Sequence, residues 1–173
     1  MSITECEIPS GSALGADHIR NAYFRDSFRA TLMRPELGIL DISAAILGHP
    51  PLLLKVLLVV RNAIVRPFGL GAPPASEIMR SEFPVGRAIG DPIGRWRIFF
   101  ISDDEIIAGA NDKHQDFRVS VFRDRSKVNA DVVLTTICTV HNVFGKFYLF
   151  FVSPIHRYGV RKLMLNALAA KRL

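Results

Sequence analysis

The sequence predicts an α+β fold: a curved antiparallel sheet of about six to seven strands wrapped around a long C-terminal helix, with two short helices after the first strand. Three observations lead there. An early segment alternates with period two, a Pro-Pro corner breaks two helical patterns, and short strands separated by turn residues precede a basic, helix-compatible C-terminus. At 173 residues the chain suits one domain with a real core. The expected division is a loose arm over residues 1–16 and a single domain over 17–173.

The alternation runs from Tyr23 to Leu32. Phe24, Asp26, Phe28 and Ala30 share one face, and Arg25, Ser27, Arg29 and Thr31 the other. Residues 36–48 place Leu37, Leu40, Ala44 and Leu47 at helical spacing, and Gly48-His49-Pro50-Pro51 stops that helix. The prolines then start a second helix through residues 52–65. Residues 70–77 read as a loop and 78–84 as a short strand. Five clearer strands follow at 95–102, 105–110, 114–123, 130–141 and 146–152. Asp, Asn and Gly populate the connectors, so the strands form a hairpin meander. Ser153-Pro154 reads as the cap and first residue of the last helix, which runs to about Ala170.

Composition narrows the function classes. Hydrophobic residues make up 49% and charged residues 22%, as in an ordinary globular protein, and twelve Phe imply dry aromatic packing. The net charge of +6 is scattered. Its densest stretch, Arg157, Arg161, Lys162, Lys171 and Arg172, reads as a solvated helix face, so no nucleic-acid partner is expected. Cys6 and Cys138 fit neither a disulfide framework nor a metal motif, and Cys138 reads as a small buried hydrophobe. The N-terminus lacks a signal-peptide pattern. The longest apolar run, Leu52 to Val60, contains Lys55 and is too short for a transmembrane segment. A cytoplasmic protein is the expectation.

Three stretches carry a family resemblance: GHPPLLLKVLLVVRNAIVRPFGL at 48–70, ISDDEIIAGAN with NDKHQDFRVSV across 101–121, and VHNVFGKFYLFFVSPIHRYGVRKLM at 140–164. They resemble the bacterial domain-of-unknown-function family DUF2867 over residues 20–170. The resemblance implies a helix-grip fold of the START/Bet v 1-like (SRPBCC) kind. It also implies that some relatives are fused to short-chain dehydrogenase-like domains. It carries over no catalytic residue.

In a meander the turns alternate between two rims. Asp112, His114, His141 and Asn142 are expected at one rim, and Asp103, Asp104, Asp124, His156 and Arg157 at the other. With tight turns, one sheet face carries Trp96, Ile98, Phe100, Ile107, His114, Asp116, Arg118, Thr135, Thr139 and Tyr148. The other carries Phe99, Ile101, Ala108, Phe117, Val119, Val121, Leu134, Thr136 and Phe147. The first face has the mixture a pocket needs, apolar walls with a few orienting polar groups. The candidate ligand-binding residues are therefore Trp96, His114, Asp116, Arg118, His141 and Tyr148. Asp116 and Arg118 would pair, leaving spare guanidinium donors for a carboxylate; the alternative is an exposed ladder on a solvated strand.

His114 and His141 are the weak candidates for a catalytic base, against a reading as turn-closing residues. With Asp112 and Asp116 they match no strong metal signature, and no metal site is expected. His156 and Arg157, near the expected helix start, would ion-pair with a rim aspartate. No GxSxG elbow appears, and the Gly86, Gly90, Gly94 series is neither a dinucleotide fingerprint nor a P-loop, so no cofactor is implied. The functional expectation is binding of a small hydrophobic or amphipathic molecule between sheet and C-terminal helix. The alternatives are a cyclase/dehydratase-like enzyme using a pocket histidine, and an interaction module, possibly a homodimer, built on the second apolar face.

Overall fold

The computed structural model describes residues 2–66, 74–79, 83–126 and 130–173. In chain order the elements are β1 (Thr4–Glu5), α1 (Ala16–Arg20), β2 (Phe24–Thr31), α2 (Ile39–Leu47), α3 (Leu52–Val65), α4 (Ala75–Met79), β3 (Pro92–Ile93), β4 (Trp96–Ile101), β5 (Glu105–Asn111), β6 (Gln115–Asp124), β7 (Asp131–Val140) and α5 (Val143–Ala169). The strands form one antiparallel sheet in the order β1-β2-β7-β6-β5-β4-β3. The expected fold class is correct: an α+β protein whose open seven-stranded sheet grips a long C-terminal helix.

The core lies between the sheet and two helices. Phe28, Ile98, Ile106, Val121 and Leu134 project from the sheet. Ile42 and Ile46 of α2 meet them, with Met164, Ala167 and Leu168 of α5. The Pro-Pro corner bends the chain by 75° between α2 and α3, so α2 enters the core while α3 runs outside it.

Four expectations need correction. Residues 146–152 are not a strand but the second turn onward of α5. An apolar run such as KFYLFFV satisfies buried strand and helix equally well by periodicity. What decides is Asn142, whose side-chain oxygen accepts the Gly145 N–H at 3.1 Å and caps a 27-residue helix. Ser153 and Pro154 thus lie inside α5 rather than at its start. Pro154 is exposed, so water can take the carbonyl its missing N–H leaves free.

Second, the N-terminal arm is fastened to the domain. β1 pairs with β2, Ile3 and Leu14 are buried, and Leu14 packs with Ile107 and Ile137 on the sheet face away from α5. Glu105 completes the attachment, accepting hydrogen bonds from Ser12 Oγ, Ala13 N and Ser120 Oγ, each at 2.5 Å.

Third, Ala75–Met79 is helical, which removes the start of the short strand expected at 78–84 and the end of the loop expected at 70–77. Residues 70–73 and 80–82 lie outside the described ones.

Fourth, the two sheet faces are composed differently. The register between β4 and β5 shifts between Ile98 and Phe100, and such a bulge moves later side chains to the opposite face. Trp96 and Ile98 share the helix-facing side with Ala108, Phe117, Val119, Val121, Leu134 and Thr136. Phe100, Ile107, Asp116, Arg118, Thr135 and Thr139 lie on the other side.

At the centre of the sheet Gly109 opposes Arg118. A Cβ added there would come within 2.1 Å of the Phe117 carbonyl oxygen. Gly109→Ala is expected to lose about 1–3 kcal/mol of stability, read from the urea midpoint, because backbone in a central ladder cannot yield as a side chain can. A midpoint equal to wild type would contradict the packing described.

Candidate functional site

The six expected ligand-binding residues do not converge. Asp116 and His141 pair at one rim, His141 Nε2 lying 3.2 Å from Asp116 Oδ2. His114, at the same rim, lies 3.0 Å from the Asn142 amide nitrogen and packs on Phe144. The rim gathering expected for His114, His141 and Asn142 is therefore present. Arg118 does not pair with Asp116. Its guanidinium covers the Phe99 ring at 3.7 Å and donates to the Phe117 carbonyl at 2.8 Å, on the sheet face away from α5.

Only Trp96 and Tyr148 belong to the side that faces the helices. Trp96 meets Phe117 edge-on at 5.6 Å. The Tyr148 hydroxyl accepts a 2.7 Å hydrogen bond from Arg61 Nε of α3, and burial raises the phenol above its ordinary pKa despite that guanidinium. Cys138 lies on the same side, and burial pushes its thiol up to about 12, so it is no nucleophile.

Two open clefts flank the core. The larger, about 650 Å³, lies at the far rim among the start of α2, the β4–β5 turn, Arg123 and Arg125. Its most buried cation is already satisfied: Arg123 reaches Asp104, the Leu37 carbonyl and the Asp103 carbonyl at 3.0, 2.6 and 2.8 Å. This clamp does the work expected of His156 and Arg157, which lie far along α5 instead. Arg125 also pairs with Asp104, at 2.7 Å. Both Arg123 and Arg125 in the larger cleft are thus paired with Asp104.

The smaller cleft, about 450 Å³, lies between the β1–β2 edge and α5. Phe28 forms its floor, Tyr158 and Leu165 its apolar wall, and Arg157, Arg161, Lys162 and Glu5 its charged rim. The Arg157 and Arg161 guanidiniums stand 5.6 and 5.9 Å from the Phe24 and Phe28 ring centres, a geometry that holds a cation over an aromatic face. Three cations against one carboxylate leave this cleft electropositive.

Next to it, under α5, is a polar group set in apolar surroundings. Asp26 follows the Phe24–Ala30 stripe onto the helix-facing side, its side chain is 0% exposed, and neither carboxylate oxygen accepts a hydrogen bond of normal geometry among the described residues. His156 Nε2 lies 3.1 Å from Thr136 Oγ1 and 3.7 Å from Asp26 Oδ2, with its ring edge-on to Phe24. Burial pushes the Asp26 carboxyl up to about 6, against the pull of Arg157 and Thr136. Burial, aided by Arg157, pushes the His156 imidazole down to about 4. Both groups are therefore driven toward their neutral forms. Yet 32% of the His156 side chain is reached by solvent, so the space beside it is open.

Sequence reasoning missed Asp26, Thr136 and His156 as a group. One signal was available: a carboxylate between Phe24 and Phe28 on the buried face of a strand is a position that only a partner or a function explains. Among the described residues no three His, Cys, Asp or Glu side chains are placed to hold a metal ion. No single helix among them is long and apolar enough to cross a membrane.

A family model described as a protein of unknown function, DUF2867, matches residues 18–163. No curated protein and no solved structure matches the chain.

Proposed function

The chain belongs to the DUF2867 family, whose description assigns no activity, and from its geometry we propose that it binds a small anionic amphipathic molecule in the cleft between the β1–β2 edge and α5. The observation that carries this reading is the cleft itself: an aromatic floor at Phe28 under Arg157, Arg161 and Lys162. Its volume of about 450 Å³ falls in the range of small-molecule sites, which are mostly apolar with a few placed polar groups. An alkyl or aromatic body would lie on Tyr158 and Leu165, above the buried Phe28 ring. The acidic head would meet the two guanidiniums, whose forks suit carboxylate or phosphate. None of the six residues expected from the sequence, Trp96, His114, Asp116, Arg118, His141 and Tyr148, lines this cleft. Neither His114 nor His141 reaches the cleft, so a proton-moving enzyme built on them has no support in this geometry.

The test is calorimetric titration with a short alkyl phosphate and with the alkyl trimethylammonium ion of equal chain length. The phosphate is expected to bind one to one and the ammonium ion not to bind. Arg161→Glu combined with Lys162→Glu should weaken the phosphate at least about tenfold, since each lost charge-assisted contact is worth roughly 1.5–3 kcal/mol. Equal binding of both head groups, or of both protein forms, would refute the proposal.

A further inference from the structure

We propose that α3 and the N-terminal half of α5 form a docking face for an anionic lipid surface. Two exposed apolar stripes motivate it. On α5, Phe147 and Phe150 are 62% and 71% exposed, and Val143, Phe151 and Ile155 are exposed beside them. On α3, Leu52, Val56, Val60 and Ile64 are exposed at helical spacing. The helices are neighbours: the Arg61–Tyr148 hydrogen bond joins them, and a Cβ added at Gly159 would lie 3.3 Å from Leu54. An isolated exposed Leu is ordinary, but two adjacent helices each presenting an apolar stripe mark a contact surface.

Charge identifies the occupant. Neither α3 nor α5 contains an Asp or Glu. The charged residues of α3 and of the N-terminal half of α5 are Lys55, Arg61 and Lys146, all basic; Arg157, Arg161 and Lys162 lie farther along α5, in the cleft described above. A second copy of the chain seated on these two helices would bring like charges together, because neither helix carries a carboxylate. An anionic bilayer surface meets both requirements, accepting apolar side chains at the headgroup boundary and attracting the cations around them. The α2–α3 pair has the composition of a broken membrane span. However, Ile42 and Ile46 of α2 are at 0% exposure in the core, so the contact is with a surface and not a crossing.

Vesicle co-sedimentation of the full chain tests this, using phosphatidylcholine vesicles with and without phosphatidylglycerol. The chain should sediment with the anionic vesicles, and less so at high ionic strength. Phe147→Ser combined with Phe150→Ser should lower the partition coefficient about tenfold or more while leaving the thermal unfolding profile intact, because both rings are exposed. Neither residue lines the cleft, so this result is independent of ligand binding there. Absence of sedimentation with anionic vesicles, or equal sedimentation of the double variant, would overturn the proposal. So would a dimer in light scattering that the double variant splits into monomers, since a second copy would then cover the face.

Discussion

Glu105→Ala is expected to destabilise the protein by about 3–5 kcal/mol and to expose the N-terminal segment to protease. Glu105 is the buried acceptor for three donors on two separate pieces of chain: Ser12 and Ala13 before α1, and Ser120 on β6. Removing it leaves those donors without the partner that holds them in a region closed to water. Each such buried donor costs about 1–3 kcal/mol, and loss of a whole buried network is among the mechanisms that give large effects. The attachment also brings Leu14 onto Ile107 and Ile137, so its release would uncover apolar surface on the second sheet face. Urea denaturation and limited proteolysis measure both consequences. A loss below about 1 kcal/mol, with the N-terminal segment still protected, would show that the apolar contacts alone hold it.

The second large effect concerns pH. Asp26 has its folded pKa raised to about 6, above the unfolded value of about 3.9. Its contribution is therefore fully present below about pH 4 and is lost as pH rises through 6, by about 3 kcal/mol. His156 has its folded pKa lowered to about 4, below the unfolded value of about 6.5. Its contribution is present above about pH 6.5 and is lost as pH falls toward 4. Solvent reaches part of this ring, which reduces that loss to about 1–2 kcal/mol. The two slopes oppose each other over the same window, since between pH 4 and 6 the proton sits on Asp26 in the folded chain and on the imidazole in the unfolded one.

Single variants should expose the hidden slopes. Asp26→Asn should gain about 3 kcal/mol relative to wild type as pH rises from 4 to 7, and His156→Gln should lose about 1–2 kcal/mol over the same range. Urea midpoints measured across that interval are the test. A constant difference between Asp26→Asn and wild type would mean that Asp26 is ionised in the folded state and that its environment is not apolar.

The fold was more legible than the site. β2 and α2 follow from period-two and period-3.6 patterns, because one face of each meets the core, and α3 and the β4–β7 meander follow from the Pro-Pro corner and from the turn residues between the strands. The segment 146–152 carries no such contrast. It packs Leu149 inward while presenting Phe147, Phe150 and Phe151 outward, so its apolar content is a property of its surface and not of a strand buried on two sides. That misreading displaced the helix start by eleven residues, from Val143 to Pro154, and with it the expected position of His156. The bulge after Ile98 had a similar effect across the sheet. A one-residue register change leaves the hydrophobic count unaltered yet parts Trp96 and Ile98 from Asp116 and Arg118, which lie on the face opposite α5. The cleft residues Arg157, Arg161 and Lys162 were visible as a basic cluster, but their relation to Phe28 depends on how a helix from the C-terminus crosses a strand from the N-terminus, which local spacing does not encode.

Native mass spectrometry of protein freshly purified from cells tests the cleft most directly. One excess mass per chain is expected, which disappears on denaturation, fragments as an acidic molecule with an apolar body, and is absent from Arg161→Glu/Lys162→Glu. An excess mass of basic character, or an acidic one retained equally by that variant, would contradict it.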